Sequence, residues 1–401
     1  MNAPDPRRQL LLELFHAGLA RVDGRRCVRS ELAASASNRP VWVAAVGKAA
    51  ASMMLGAYDA LGSAVERALV ITKDGHVLPQ LEAIPGIEIL QSAHPMPDER
   101  SLAAGTRLLH WVDELPSYVD PLFLVSGGSS SLVEVLEAGT SFADLERLTA
   151  EGLAAGIAIG ELNARRAQHS LIKGGRLTAR LKGRAARALF ISDVPGDDPA
   201  VIGSGLLGPA ADGPDHVERR VVASIDHAVE SVVAAAMERG LGADGSTRRF
   251  DGDVMRLAVR FSHELHLSTV EVRVWGGEST VQLPQRPGRG GRNQHLGLAA
   301  ARLIAGHPEL LLLTAGTDGT DGATEDAGAL VDSETCSRLT LANVDADAAL
   351  RAADSGTALA AAGDLVHTGP TGTNVGDLVI GLKLPLEARR DLRMRPREPG
   401  S

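Results

Sequence analysis

The chain has 401 residues and carries 41 basic against 50 acidic side chains, a net charge of −9. At about 150 residues per domain this is length for two or three cores, and the acidic balance argues against general nucleic-acid or anionic-membrane binding. An apolar fraction of 44% excludes a mostly disordered chain, and two cysteines, Cys27 and Cys336, exclude a disulfide framework or a cysteine metal site.

No apolar stretch of about 18 residues is free of charge, so no bilayer-spanning helix is expected. The opening MNAPDPRRQLLLELF interrupts the apolar core that a signal peptide needs, and a cytoplasmic protein is expected. Val41–Val46 reads as a buried strand, followed by a helical pattern from Lys48 to Leu61. Strands are expected at Ala68–Ile71, Ile87–Leu90, Leu122–Val125 and Ala188–Ser192, with helical patterns at Ser101–Val112 and Phe142–Ile159. GPAADGPDH then breaks structure, a helix is expected over Val221–Arg239, and GLGADGSTRRFDGD reads as a loop. We place a boundary near residue 215, giving domains 1–215 and 216–386. In the later half, strands are expected at Val270–Trp275, Val281–Leu283, Leu310–Leu313 and Leu378–Leu382, a helix at Asn293–Ile304, and a frayed tail after Leu386. Continuous apolar runs imply strands buried on both faces, hence α/β domains with mostly parallel sheets flanked by helices.

In open α/β sheets a ligand sits beyond the carboxyl ends of the strands, so the residues after each strand carry the chemistry. Gly47 turns the chain and Lys48 opens a helix, where a cation opposes the macrodipole by about 0.3–1 kcal/mol unless an anion binds there; a solvated lysine is the plain alternative. Ser126, Gly127 and Gly128 end another strand, and Ser129–Ser131 either cap a helix or free amides for an anion. Asp193, with Asp197 and Asp198 nearby, offers carboxylates suited to Mg²⁺ or simply a turn. Glu278 ends a strand, and Arg292 opens a second helix behind the glycine-rich loop at 288–291. Two such cations in different halves suit a multiply anionic ligand in a cleft between the domains. Asp318 and Asp321 lie on a loop after a strand, and HTGPTGTNVGD ends in Asn374 and Asp377. There is no P-loop and no EF-hand. The single G-x-G-x-x-G, at Gly203, Gly205 and Gly208, is followed by Pro209, Gly213 and Pro214 where the receiving helix should begin, so a dinucleotide fingerprint is unsupported. His94 is placed to touch a ligand, whereas His169 and His295 read as structural or solvated.

These motifs, in this order, resemble the glycerate 2-kinase family, whose second half is the MOFRL-type domain. The matching segments are AAVGKAA, ITKDGH, HPMPDERS, SGGSSSL, NARRAQHSLIKGGRL, SDVPGDDP and IGSGLLGP, then GGEST, GRGGRNQ, AGTDGTDG and TGPTGTNVGDL, together about residues 40–385. The resemblance implies a Rossmann-like first domain, a MOFRL-like second one, and ATP- and Mg²⁺-dependent phosphorylation of the 2-hydroxyl of D-glycerate to 2-phosphoglycerate. By motif, Lys48, Arg292 and Asp193 are the implied catalytic residues. Ser126, Gly127, Gly128, Ser129, Ser130 and Asn374 would bind substrate or phosphate, and Asp193, Glu278, Asp318 and Asp321 would hold the metal. The implied partners are a small hydroxy acid and a nucleotide, with no nucleic acid or membrane and with a homodimer left open. The chain departs from the family pattern at Ser129, at Arg166-Ala167-Gln168, where anion contacts are expected to be lost, and at His295. Three readings stand beside the kinase: an NAD(P)H-dependent hydroxypyruvate reductase, a kinase for a related hydroxy acid, and a non-catalytic ligand-binding homologue.

Overall fold

The computed structural model describes residues 5–33, 39–94, 96–154 and 159–385. The expected tail after Leu386, and residues 155–158 of the expected helix Phe142–Ile159, lie outside the described residues. The chain separates into two compact units. The first holds residues 22–224 and 372–375, the second residues 1–21, 225–371 and 376–401. The N-terminal segment therefore belongs with the second unit, whereas the sequence reading keeps residues 1–215 together.

The first unit is built on six strands: β1 Val41–Val46, β2 Val65–Lys73, β3 Ile87–Ser92, β4 Asp120–Ser126, β5 Ala186–Ile191 and β6 Val217–Ala223. They lie in the order β3-β2-β1-β4-β5-β6, and every pair is parallel. All six residues of β1 are buried, as a central strand covered on both faces requires. On one face Trp42, Trp111 and Phe123 form an aromatic cluster with ring centroids 5.7 Å apart, Trp111 being supplied by helix Glu99–Asp113. Asp98 caps that helix by accepting the Arg100 amide. Val221–Ala223 completes an edge strand, and the helix that follows runs only from Ile225 to Glu238. The run 221–223 is β-branched and apolar, and periodicity alone does not separate such a run from the start of a helix.

The second unit holds β7 Ala243–Gly245, β8 Phe250–Asp253, β9 Val272–Thr280, β10 Leu310–Gly316, β11 Gly328–Asp332, β12 Leu365–Val366 and β13 Asp377–Lys383. The sheet order is β12-β11-β10-β13-β9-β7, with β8 also paired to β9. Only β7 and β8 run parallel to β9, and the other pairs are antiparallel. The α/β class expected from the sequence holds, with a mixed second sheet: Leu310–Leu313 is buried on both faces, but an apolar run reports burial and not direction. Val281–Leu283, expected as a strand, follows the end of β9 as irregular chain. Helix Val254–His266, capped by Asp253, and helix Arg292–Ile304 pack on the sheet around Phe250, Phe261 and Trp275. Helix Pro6–Val22 docks on this unit: Arg8 pairs with Asp332 and Asp364, and Ser231 Oγ donates to Ala17 O at 3.1 Å. No described helix is long and apolar enough to cross a membrane.

Candidate active site

In the first unit the strand order reverses between β1 and β4, and the crevice beyond their carboxyl ends is where such sheets bind ligands. The sequence places Gly47-Lys48 at one lip and Ser126–Ser131 at the other. Ser126 is fully buried, and its Oγ accepts the Ala49 amide at 3.0 Å. The Lys48 amide donates to Gly127 O at 2.9 Å, while Thr72 Oγ1 donates to Gly47 O at 3.0 Å. These bonds fix the backbone from which the Lys48 side chain leaves. A Cβ on Gly128 would lie 3.1 Å from Lys48 Cγ and 3.0 Å from His94 Cδ2, so the ammonium stem, the imidazole and the turn are neighbours.

Gly128 is left-handed (φ 83°) and leads into the short helix Ser129–Leu132. Among the described residues the amides of Gly128, Ser129 and Ser130 donate to no backbone carbonyl, which leaves a concavity of positive dipoles. Ser130 Oγ meets Ser204 Oγ at 2.7 Å, whereas Ser129 Oγ is buried with no partner. Asp193, just beyond β5, accepts from Asn374 Nδ2 at 3.0 Å. A Cβ at 127 would stand 1.9 Å from Asp193 Oδ2 and 2.1 Å from Asn374 Nδ2, so any residue larger than glycine must displace those side-chain ends. The first unit thus brings together Lys48, Ser126, Gly127, Gly128, Ser129, Ser130, Asp193 and Asn374, and adds His94. Buried Thr373 Oγ1, also unpartnered, is a further polar group that the sequence did not single out.

The second unit gathers the remaining expected residues around Arg292, the first residue of its helix. Asp377, the first residue of β13, grips the guanidinium bidentately, at 2.7 Å from Nε and 3.0 Å from Nη2. Glu278 Oε1 lies 2.6 Å from Nη1. Partial burial works against the charge on Arg292, but Asp377 and Glu278 outweigh it and hold the group firmly protonated. Asp377 also accepts from Asn293 Nδ2 at 3.0 Å.

Asp321, expected as a metal ligand, caps the helix. Its Oδ1 accepts the Asn293 amide at 3.0 Å and its Oδ2 the Gln294 amide at 2.7 Å, which satisfies two orphan donors of the first turn. Burial pushes this carboxyl up to about 7 against the pull of those two amides; Asp377 adds to the push, and Arg292 opposes it. Gly291 permits the approach, since a Cβ there would lie 2.3 Å from Asp321 Cγ. Asp318 accepts from the Thr320 amide at 3.0 Å. The literal G-x-G-x-x-G forms the turn Ile202–Ser204 with Gly203 and Gly205 left-handed, and no long helix follows it.

For a divalent cation the donor set matters. Among the described residues the only three metal-ligating side chains with atoms within 4.8 Å of one another are His266, His307 and Glu309, none of them expected from sequence. Within the second unit, Glu278, Asp318 and Asp321 form no such group. Mg²⁺ does not need one, because it is held by one or two carboxylates together with phosphate oxygens and water. Asp193, Glu278 and Asp318 each offer a single carboxylate that fits that requirement. Asp377 and Asn293 were not assigned from sequence; the signal was the placement of Asp377 at the start of a strand, after a turn of glycines and threonines.

Two family models match the chain: a domain of unknown function, DUF4147, over residues 10–238, and the MOFRL family over residues 271–377. The chain is 34% identical to a D-glycerate 2-kinase of Thermotoga maritima, over 95% of this chain and all of that one. It is 32% identical to a glycerate 2-kinase of Pyrococcus horikoshii, over 85% of this chain and 87% of the other. The crystal structure of a glycerate kinase from Thermotoga maritima superimposes with a TM-score of 0.84 at 33% identity, covering 95% of this chain and 100% of that one.

Proposed function

Because the chain belongs to the DUF4147 and MOFRL family, and matches a D-glycerate 2-kinase over that protein's whole length, we propose that it transfers the terminal phosphoryl group of ATP to the 2-hydroxyl of D-glycerate. The observation that carries this reading is the switch-point turn, where Gly128 neighbours the Lys48 stem and the His94 ring, the amides of residues 128–130 donate to no backbone carbonyl among the described residues, and Asp193 stands against Gly127.

Phosphoryl transfer asks the protein for positioning and charge neutralisation. Lys48 and the amides of the serine turn hold phosphate oxygens. Asp193, oriented by Asn374, receives the proton of the acceptor hydroxyl as its oxygen bonds to phosphorus and ADP departs. Arg292 is presented by Asp377, and its outer edge exchanges Glu278 for a phosphate oxygen. Mg²⁺, held by Asp193, Glu278 or Asp318, would neutralise nucleotide phosphate charge. Asn374 orients Asp193 and Asp377 grips Arg292, each pair within its own unit. The cytoplasm, where ATP is supplied, is the compartment this reading implies.

The strand order of the first unit is also that of dinucleotide-binding folds, so a reductase is the second reading. Its first βα turn, Val46-Gly47-Lys48-Ala49, lacks the glycines that bring a backbone against a pyrophosphate. The deciding experiment sets ADP release with D-glycerate, across a panel of 2-hydroxy acids with and without Mg²⁺, against NADH oxidation with hydroxypyruvate. Lys48→Ala and Arg292→Ala should each lower kcat by about 100-fold or more. NADH oxidation without ADP release overturns the kinase reading, and variants within a few fold of the parent overturn the two assigned roles.

A further inference from the structure

Helix Ile159–Gln168 carries Arg166 into the interior of the first unit, where the residue is only 7% exposed. Beside it Lys173 Nζ and Glu134 Oε2 form a fully buried ion pair at 2.5 Å. The cluster therefore holds two cations against one carboxylate, and that carboxylate is bonded to Lys173. Among the described residues, Arg166 Nε and Nη2 are both buried and have no hydrogen-bond partner. These two N–H groups share one edge of the guanidinium plane, the edge that grips a two-oxygen anion through parallel bonds. A buried cation with that edge unpaired is costly to keep unless an anion completes it.

The cluster borders the site already described. Turn Ile202–Ser204 packs against helix Ile159–Gln168. The same turn touches the serine turn, through Ser204 Oγ on Ser130 Oγ at 2.7 Å and through Gly203, where a Cβ would lie 2.2 Å from the unpartnered Ser129 Oγ. On the Lys173 side, the Gly174 amide donates to Ser204 O at 2.9 Å. The departure from the family pattern at 166–168 implies lost anion contacts, but Arg166 by itself keeps an unpaired bidentate edge.

The geometry points to Arg166 as the receptor for the carboxylate of the hydroxy-acid acceptor, and so as a specificity-determining residue of this site. The inference rests on the kinase reading, in which the acceptor is a small 2-hydroxy acid. A nucleotide phosphate shares the same chemistry and is separated from the carboxylate by experiment.

The test uses the full chain and its Arg166→Gln and Arg166→Met variants. Calorimetric titration without co-substrate measures binding of D-glycerate, of its neutral amide and of ADP. Steady-state assays then give KM for D-glycerate and for ATP. Loss of a charge-assisted pair should weaken D-glycerate binding and raise its KM by about 10- to 100-fold. The ADP affinity and the KM for ATP should stay within about threefold, and the preference for the acid over its amide should collapse. Arg166→Met, which removes an unpaired buried charge, should melt no lower than the parent without ligand, whereas a structural arginine would lower that midpoint. Unchanged D-glycerate affinity in a folded variant overturns the inference. So does a shift confined to the nucleotide, or a lowered midpoint in the methionine variant. If the parent binds another hydroxy acid of the panel but not D-glycerate, the choice of substrate falls, and Arg166 is judged on that acid: weaker binding in Arg166→Gln supports the inference, and retained binding overturns it. If the parent binds no carboxylate, both readings fall.

Discussion

Asp377→Asn tests how Arg292 is presented. The carboxylate is 1% exposed and receives four donors. Oδ1 faces Arg292 Nη2 at 3.0 Å and Asn293 Nδ2 at 3.0 Å, while Oδ2 faces Arg292 Nε at 2.7 Å and the Ser279 amide at 3.3 Å. An asparagine keeps the shape but turns one of these acceptors into an NH2, so two donors lose their acceptor whichever way the amide is flipped. Leaving a buried donor unpaired costs about 1–3 kcal/mol, more when it is charged. Arg292 is one-third exposed, so water recovers part of the loss. A net cost of about 3–5 kcal/mol follows, which is the range for breaking a buried ion pair. At about 2–4 °C per kcal/mol for a unit of this size, the melting midpoint of the second unit should fall by roughly 6–20 °C. The released guanidinium is also misplaced, and a displacement of about 1 Å lowers turnover by about 100-fold. Calorimetry gives the first quantity and ADP release at saturating substrate the second. In Arg292→Met the carboxylate has lost its charged partner, so the double variant should turn over no more slowly than Arg292→Met alone. Turnover of Asp377→Asn within threefold of the parent, or strictly additive losses in the double variant, would refute the argument.

Two further expectations rest on separate observations. Gly127→Ala should keep the fold of the second unit yet lose about 100-fold or more in turnover, because its methyl must displace the Asp193–Asn374 pair; normal kinetics would show that this pair is dispensable. Asp332 lies between Arg338 and Arg8, which hold its carboxyl below the usual range against the opposing effect of burial. A depressed folded-state pKa gives stability that is present above about pH 4 and is lost as the pH falls through the folded value. Arg338→Met should therefore flatten the acid limb of a stability–pH curve, and an unchanged limb would rule that coupling out.

Much of the first unit was legible because its strands are continuous apolar runs: Val41–Val46 is β1 to the residue, and Leu122–Val125 is the centre of β4. The carboxyl ends of parallel strands share one edge of the sheet, so Lys48, the serine turn and Asp193 group together from sequence alone. The second sheet was less legible, because β7 and β12 are only three and two residues long and carry no periodic signal. β11, five residues all buried, escaped because it begins at a glycine inside a loop-like sequence. The pairing of Arg292 with Asp377 spans 85 positions, and the capping of a helix by Asp321 comes from 27 and 28 positions away, distances over which local pattern says nothing. Arg166 shows the same limit: burial of a single guanidinium edge is a three-dimensional fact that local pattern does not carry.

The docking of helix Pro6–Val22 on the second unit has a consequence for synthesis. Its partner surface begins at Ile225, so the ribosome must add some two hundred residues after the helix emerges, about 10–40 s at ordinary elongation rates. Throughout that interval Leu11, Leu14 and Phe15, fully buried in the finished molecule, lack the second-unit surface on which their helix docks. The first unit meanwhile acquires almost its entire sequence, lacking only the 372–375 segment. The nascent chain thus carries an undocked apolar helix ahead of an almost complete globule, the kind of transiently exposed surface that chaperones exist to shield.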